Sequence, residues 1–277
     1  MFKVKFIHFY DPDGIYYLGP EGSFTYEVAV KLGKNLVGVK SITEVFRKVE
    51  DSENSIGVIP IENSKEGPIN ETLDNLFNND KIFVNYEIEK DIKLVFASKS
   101  PEINQIKRIY TNYYAGAEVR EFISRLNKEV IYVSSTSEAA KLASSDPAAA
   151  AICSEYAARI WGLNVLESSL QEGINITRFI VISKRMTVKG DKTMIFLTIP
   201  DVPGSLYKSL EKFYKYNINL KMIYSRPLKY VPWEYYFYLE FQGELEDNRV
   251  KKALEELREV VISMKIKGSF TKLRFQA

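Results

Sequence analysis

Three short polar segments carry the residues best able to do chemistry. They are Gly19-Pro20-Glu21-Gly22-Ser23-Phe24, Pro60-Ile61-Glu62-Asn63-Ser64 and Asn175-Ile176-Thr177-Arg178-Phe179. Each lies at a strand end, the last just before the final strand of its region, and joins to a helix start, where free backbone N–H groups favour an anion. Together they offer hydroxyls, carboxylates, amides and a guanidinium. Such a set acts by hydrogen bonding and electrostatic orientation. Taken singly, each segment has a plainer reading: Gly-Pro-Glu-Gly as a turn, Asn70 downstream as a helix cap, Arg178 as a structural ion pair.

Other chemistries are scarce. His8 is the single histidine. It sits in an N-terminal strand or extension and reads as incidental, so a histidine base, a Ser-His-Asp triad or a histidine-rich metal site is not expected. The single cysteine, Cys153, ends the apolar run Ala148-Ala149-Ala150-Ala151-Ile152-Cys153. It reads as a buried strand thiol, excludes an intrachain disulfide and fits a reducing compartment. Neither a Gly-x-Gly-x-x-Gly fingerprint nor a P-loop is present, so the reading is no cofactor and no metal. The net charge of +2 is dispersed and gives no field for nucleic acid or membrane. No apolar run is long enough to span a bilayer, and Met1–Gly14 lacks the apolar centre of a signal peptide, so the expected location is cytoplasmic.

The elements that must position these groups read as α/β over residues 15–183. Strands are expected at Ile15–Leu18, Ile56–Pro60, Ile92–Ala97, Ile106–Tyr110, Val130–Val133, Ala148–Cys153 and Arg178–Ser183. Ser41 with Glu44, and Ser135 with Glu138, form capping-box patterns; Asn70 and Ser154 are further candidate caps. Ala115–Leu126 reads as one helix. Two lobes crossed by Ile92–Ala97 and Arg178–Ser183 would leave a cleft between them. After a polar linker at Lys184–Lys192 the order becomes βαββαβ, a ferredoxin-like unit.

In order and spacing, these segments resemble the prephenate dehydratase family. Tyr17-Leu18-Gly19-Pro20-Glu21-Gly22-Ser23-Phe24 is similar to its opening motif. Gly57-Val58-Ile59-Pro60-Ile61-Glu62-Asn63-Ser64, with Gly67-Pro68-Ile69-Asn70-Glu71-Thr72-Leu73, is similar to its second. Asn175-Ile176-Thr177-Arg178-Phe179 is similar to its most diagnostic one. Pro203-Gly204-Ser205-Leu206-Tyr207 and Ser225-Arg226-Pro227 resemble the ligand loops of the family's C-terminal ACT domain. The resemblance implies a periplasmic-binding-protein-like catalytic domain over residues 1–187. One lobe would comprise about 1–91 plus 175–187 and the other about 92–174. It also implies an ACT regulatory domain over 191–277. The implied reaction converts prephenate to phenylpyruvate with loss of water and carbon dioxide, without metal or redox cofactor.

Carried over, the resemblance makes Thr177 the catalytic hydroxyl, with Glu62 and Thr111 as further catalytic candidates. Pro20, Gly22, Ser23, Asn63, Ser64, Arg178 and Phe179 become substrate contacts, although Arg178 could instead brace its loop. Pro203, Gly204, Ser205, Leu206, Asn219, Ser225 and Arg226 become an allosteric site for phenylalanine, in a homodimer or tetramer assembled partly through ACT domains. Departures are visible. Asn112 replaces a histidine, Glu118 stands where a glutamine is usual, Tyr224 replaces a glutamate, and the loop Gln171-Glu172-Gly173-Ile174 is short. A charged Glu118 facing the cleft would repel a dianion. Arogenate dehydration and a non-catalytic amino-acid-binding regulator stand as the alternatives.

Overall fold

The computed structural model describes residues 12–171 and 173–274. His8 and the rest of residues 1–11, Glu172 and residues 275–277 lie outside the described residues. The first strands are β1 (Gly14–Leu18), β2 (Leu36–Val39), β3 (Ser55–Asn63), the short β4 (Gly67–Pro68) and β5 (Phe83–Asp91). Helices α1 (Phe24–Ala29), α2 (Ile42–Glu50) and α3 (Asn70–Asn78) connect them. β3 is buried almost end to end, as a sheet covered on both faces requires. It pairs parallel with β1 and antiparallel with β11 (Ile176–Ser183), which returns late in the sequence to lie between β3 and β5.

Between β5 and β11 the chain builds a second sheet. Its strands are β6 (Val95–Ser98), β7 (Arg108–Asn112), β8 (Glu129–Val133), β9 (Ala149–Cys153) and β10 (Asn164–Glu167), in the order β10-β6-β9-β7-β8. Its helices are α4 (Tyr113–Glu118), α5 (Arg120–Leu126), α6 (Thr136–Ser144) and α7 (Glu155–Ile160). Ala139, Ala140, Ala143, Ala151, Ala157 and Ala158 let α6 sit close on β9 and α7 pack beside α6.

Serine caps set the helix starts. Ser41 Oγ accepts from Glu44 N, Ser135 Oγ from Glu138 N and Ser154 Oγ from Ala157 N, at 3.0–3.1 Å. Such caps contribute about 1 kcal/mol each. The reciprocal half of the expected boxes lands one residue earlier: Glu44 receives Lys40 N, and Glu138 receives Ser134 N.

Several expectations change. Asn70 lies inside α3, and Ile69 occupies the cap position without a side-chain bond. The expected helix Ala115–Leu126 is two helices. They meet at Val119, whose side chain is buried among Leu94, Phe96 and Ile109 and whose backbone leaves helical geometry (φ −110°, ψ 27°). The expected crossing strand Ile92–Ala97 is the passage between two strands. β5, which the sequence pattern hid behind Asn85 and Glu87, is the longer member; both of those polar residues are buried.

The C-terminal strands are β12 (Lys192–Thr198), β13 (Leu220–Pro227), β14 (Tyr235–Gln242) and β15 (Ser263–Lys272), with α8 (Ser205–Lys215) and α9 (Asn248–Arg258). Their order, β15-β12-β14-β13, is ferredoxin-like. α8 and α9 cover one face through Phe213, Val250, Leu254 and Leu257. The other face is not solvated. Met194, Phe196, Tyr236, Tyr238 and Phe270 share one apolar core with Ile59, Val84 and Ile180. β15 also pairs parallel with β5 at Thr271–Tyr86 and Lys272–Glu87, which makes one ten-stranded sheet. The segment expected as a polar linker is packed as well. Thr187 is buried and donates to Ser269 O at 2.6 Å, and at Gly190 a β-carbon would lie 2.5 Å from Phe270 N.

Candidate active site

β11 carries the third motif, and strand alternation decides what each of its residues meets. Thr177 and Phe179 face the cleft between the two sheets, on the wall of a cavity of about 1000 Å³. Tyr17–Glu21, Ser23–Thr25, Asn63, Ser134–Glu138 and Trp161 also line it, but Gly22 does not. An adjoining cavity of about 740 Å³ shares Phe24, Asn63, Ile92 and Ser134–Thr136, and continues to Lys65, Asn112, Tyr114, Glu118, Arg120, Arg125 and Asn175.

Thr177 is buried, and its hydroxyl oxygen accepts from Asn63 Nδ2 at 2.9 Å. That bond leaves the hydroxyl proton for the cavity side. Asn63 also donates to Asn175 Oδ1 at 2.7 Å, while its own oxygen accepts from Lys65 N and Glu66 N at 2.9 and 3.1 Å. Ser64 supports this corner from outside the cavities, its Oγ accepting from Ile176 N at 2.9 Å. Pro20 and Ser23 line the larger cavity, but the Ser23 hydroxyl is engaged as the cap of α1: it accepts from Tyr26 N and donates to Leu18 O, both at 3.1 Å. Gly22 (φ +81°) lets the loop pass against α6, where a β-carbon would lie 2.7 Å from Ser137 Oγ.

Arg178 turns the other way. Its guanidinium meets Glu62 Oε2 at 2.5 Å, Glu87 Oε2 at 2.6 Å and Glu240 at 2.7–2.8 Å. Lys192 Nζ joins Glu87 at 2.5 Å, and Tyr238 Oη donates to Glu240. Burial would push the Glu87 carboxyl up, but Arg178 and Lys192 outweigh it and hold it below the usual carboxylate range. The expectation of Arg178 as a substrate contact is therefore corrected: it braces the strand, as an Arg on a buried carboxylate cluster must to keep those charges paired. Glu62 is corrected with it, since its carboxylate is engaged on the face away from the cleft. Thr111 lines neither cavity; it is fully buried and donates to Asn112 O. Cys153 is inert, burial pushing its thiol up to about 12.

Glu118 faces the cleft as feared but is not a lone charge. Lys65 Nζ pairs with it at 2.7 Å, and Asn175 Nδ2 donates to both its oxygens at 2.9 and 2.7 Å. Sequence reasoning passed over Lys65 and the side-chain role of Asn175. The signal available was a lysine two residues after Asn63, able to offset the unexpected acid.

A third cavity, about 530 Å³, lies in the C-terminal unit. It is lined by Thr198–Val202, Gly204–Tyr207, Trp233–Tyr235 and Phe237, among others. Gly204 (φ +86°) precedes α8. Asn219 donates to Gln242 Oε1, and Arg226 binds Asp74 of α3 at 2.8 Å. Neither lines this cavity, nor do Pro203 and Ser225. For Arg226 this is a correction: a guanidinium held by an aspartate on another element is spent on docking.

The prephenate dehydratase family model matches residues 15–187, which contain all three motifs and both walls of the cleft. The chain belongs to the prephenate dehydratase family. Members of this family are lyases. The bifunctional chorismate mutase/prephenate dehydratase of Aquifex aeolicus is 38% identical over 268 residues, covering 94% of this chain and 74% of the relative. The crystal structure of the Staphylococcus aureus prephenate dehydratase superposes with a TM-score of 0.80 at 29% identity, over 93% of this chain and 99% of that one. The Arthrobacter aurescens prephenate dehydratase, solved in complex with L-Phe, gives 0.84 at 29% identity, over 93% and 90%. Among the described residues no helix is long and apolar enough to cross a membrane, and no group of three or more His, Cys, Asp and Glu is placed to hold a metal.

Proposed function

We propose that the chain converts prephenate to phenylpyruvate, with residues 1–187 as the catalytic unit and 191–277 as an ACT unit that binds phenylalanine. The observation that carries the catalytic reading is the Thr177 hydroxyl, held by Asn63 with its proton free for the cleft. In the reaction the ring carboxylate leaves as carbon dioxide, and its bonding electrons enter the ring. The ring hydroxyl leaves from the opposite carbon and takes up a proton as water. Aromatisation supplies the driving force, so the protein must align the two breaking bonds and hydrogen-bond the departing oxygen. Thr177 supplies that hydrogen bond. The α6 N-terminus, with Ser135, Thr136 and Ser137 on the cavity wall, offers N–H groups to a carboxylate. Lys65 and Asn175 already engage the carboxylate of Glu118, so it is committed before an ammonium could reach it. That favours prephenate over its amino analogue.

Purified protein incubated with prephenate should form phenylpyruvate well above the spontaneous rate. Thr177→Ala should lower kcat by about 10²–10³ while leaving the melting temperature near the wild-type value. An unchanged rate in that variant would remove Thr177 from the reaction. For the C-terminal unit, the support is a cavity that meets the start of α8 at Gly204–Leu206, together with the L-Phe complex of the Arthrobacter relative. Added phenylalanine should lower the rate and shift the oligomer population, seen by light scattering. Indifference of both would count against the sensor.

A further inference from the structure

Glu118 ends α4 on the far wall of the cleft, yet its carboxylate is committed to groups of the near wall. A carboxylate only accepts hydrogen bonds. Asn175 must therefore show its NH₂ to Glu118 and its oxygen to Asn63. Asn63 donates to that oxygen at 2.7 Å and, with the same nitrogen, to Thr177 Oγ1 at 2.9 Å. The Lys65 and Glu66 amides hold the Asn63 oxygen and fix the same direction from the other end. The Lys65–Glu118 pair meanwhile spans the cleft, from the turn after β3 to α4.

We propose that Glu118 is a positioning residue for the dehydration: through Asn175 and Asn63 it sets the direction of the hydrogen bond to Thr177, turning the threonine proton toward substrate. This rests on the dehydratase reading. Lys65 and Asn175 engage both oxygens of Glu118, so its effect on the reaction is transmitted rather than direct. Misalignment of a reacting group by about 1 Å costs on the order of 10²-fold in rate, and that is the scale expected here.

The test is steady-state turnover of prephenate by the full chain and five variants. Glu118→Ala should lower kcat about ten- to a hundredfold with KM within about threefold. Glu118→Gln keeps an oxygen for Asn175 but gives Lys65 no charge, and should lose less than about tenfold. Asn175→Asp is isosteric, cannot donate to Glu118 and should lose as much as Glu118→Ala, which covers the case in which the alanine variant does not fold. Combining Glu118→Ala with Thr177→Ala should be no slower than Thr177→Ala alone, because the two act as one unit. A wild-type kcat in Glu118→Ala, a loss confined to KM, or additive losses in the double variant would each overturn the proposal. If the wild type makes no phenylpyruvate, the dehydratase reading fails on its own account. Crystal structures of the wild type and Glu118→Ala then judge the hydrogen-bond chain. A lost or lengthened Asn63–Thr177 contact in the variant supports it, and an unmoved one sinks it.

Discussion

Thr177 and Arg178 are neighbours with opposite destinations. One meets the cleft; the other closes a set of three glutamates, two of them buried, and a lysine. Removing the guanidinium strands Glu62, Glu87 and Glu240 with Lys192 as their remaining cation. Arg178→Ala should therefore cost about 3–5 kcal/mol in urea unfolding, as loss of one partner from a buried charge set does. Arg178→Lys should recover only part, since one ammonium cannot reach three carboxylates with a planar fork. A loss under about 1 kcal/mol in Arg178→Ala would show that the set does not depend on it. The sequence made the chemical identity of this pair legible, and alternation implied that they face apart. It could not say which of them faced substrate, because Glu240 arrives from a strand 62 residues on.

Among elements, α3 is tethered to the C-terminal unit by side chains. Asp74 accepts from Arg226 at 2.8 Å, Tyr236 Oη at 2.6 Å and Lys229 at 2.9 Å, and Phe77 stacks on Tyr236 with ring centres 4.2 Å apart. At the helix C-terminus, where cations are favoured, Lys265 donates to Phe77 O and Lys267 to Asn79 O. Burial pushes the Asp74 carboxyl up, but its bonds to Arg226, Tyr236 and Lys229 prevail and hold it below the ordinary 3.8. A depressed folded value means stabilisation present above the ordinary value and lost as pH falls through the folded one. Melting temperatures of the wild type should drop more steeply than those of Asp74→Asn as pH falls below about 4; parallel curves would deny the linkage.

Lys267 is shifted in the same direction, but here burial is the cause rather than the force overcome. Burial pushes its ammonium down from 10.5 to about 8, with Asp80 opposing and Lys265 adding to the shift. The unfolded chain therefore binds more protons between those values, and stability rises with pH across that window. Relative to Lys267→Met, the wild type should gain on the order of 3 kcal/mol from pH 8 to 10.5; no relative gain would mean that the ammonium is well solvated. Element by element, the capping serines were legible because their bond is local. Asn70, the break at Val119 and β5 were not, because burial of Leu73, Val119 and Glu87 against distant partners overrode local preference.

At the scale of the molecule, the shared sheet and shared core make the C-terminal unit part of the structure that holds the cleft. Unfolding should be one cooperative transition by calorimetry, with calorimetric and van't Hoff enthalpies equal; two separated peaks would contradict the common core. Gly190→Ala forces a methyl against the Phe270 backbone and should cost about 1–3 kcal/mol. Fold class was legible from periodicity, and the βαββαβ order with it. The joining of the two units was not, because parallel pairing of two residues on β15 with two on β5 leaves no mark in either segment.

The clasp of Arg178 on Glu240 also restricts the exchange of parts. A C-terminal unit taken from another chain must bring a buried carboxylate to the same point of its third strand, or it leaves the Arg178 guanidinium without one of its three carboxylate partners. A designer grafting another C-terminal unit onto this scaffold would have to transplant Glu240 and Tyr238 along with it.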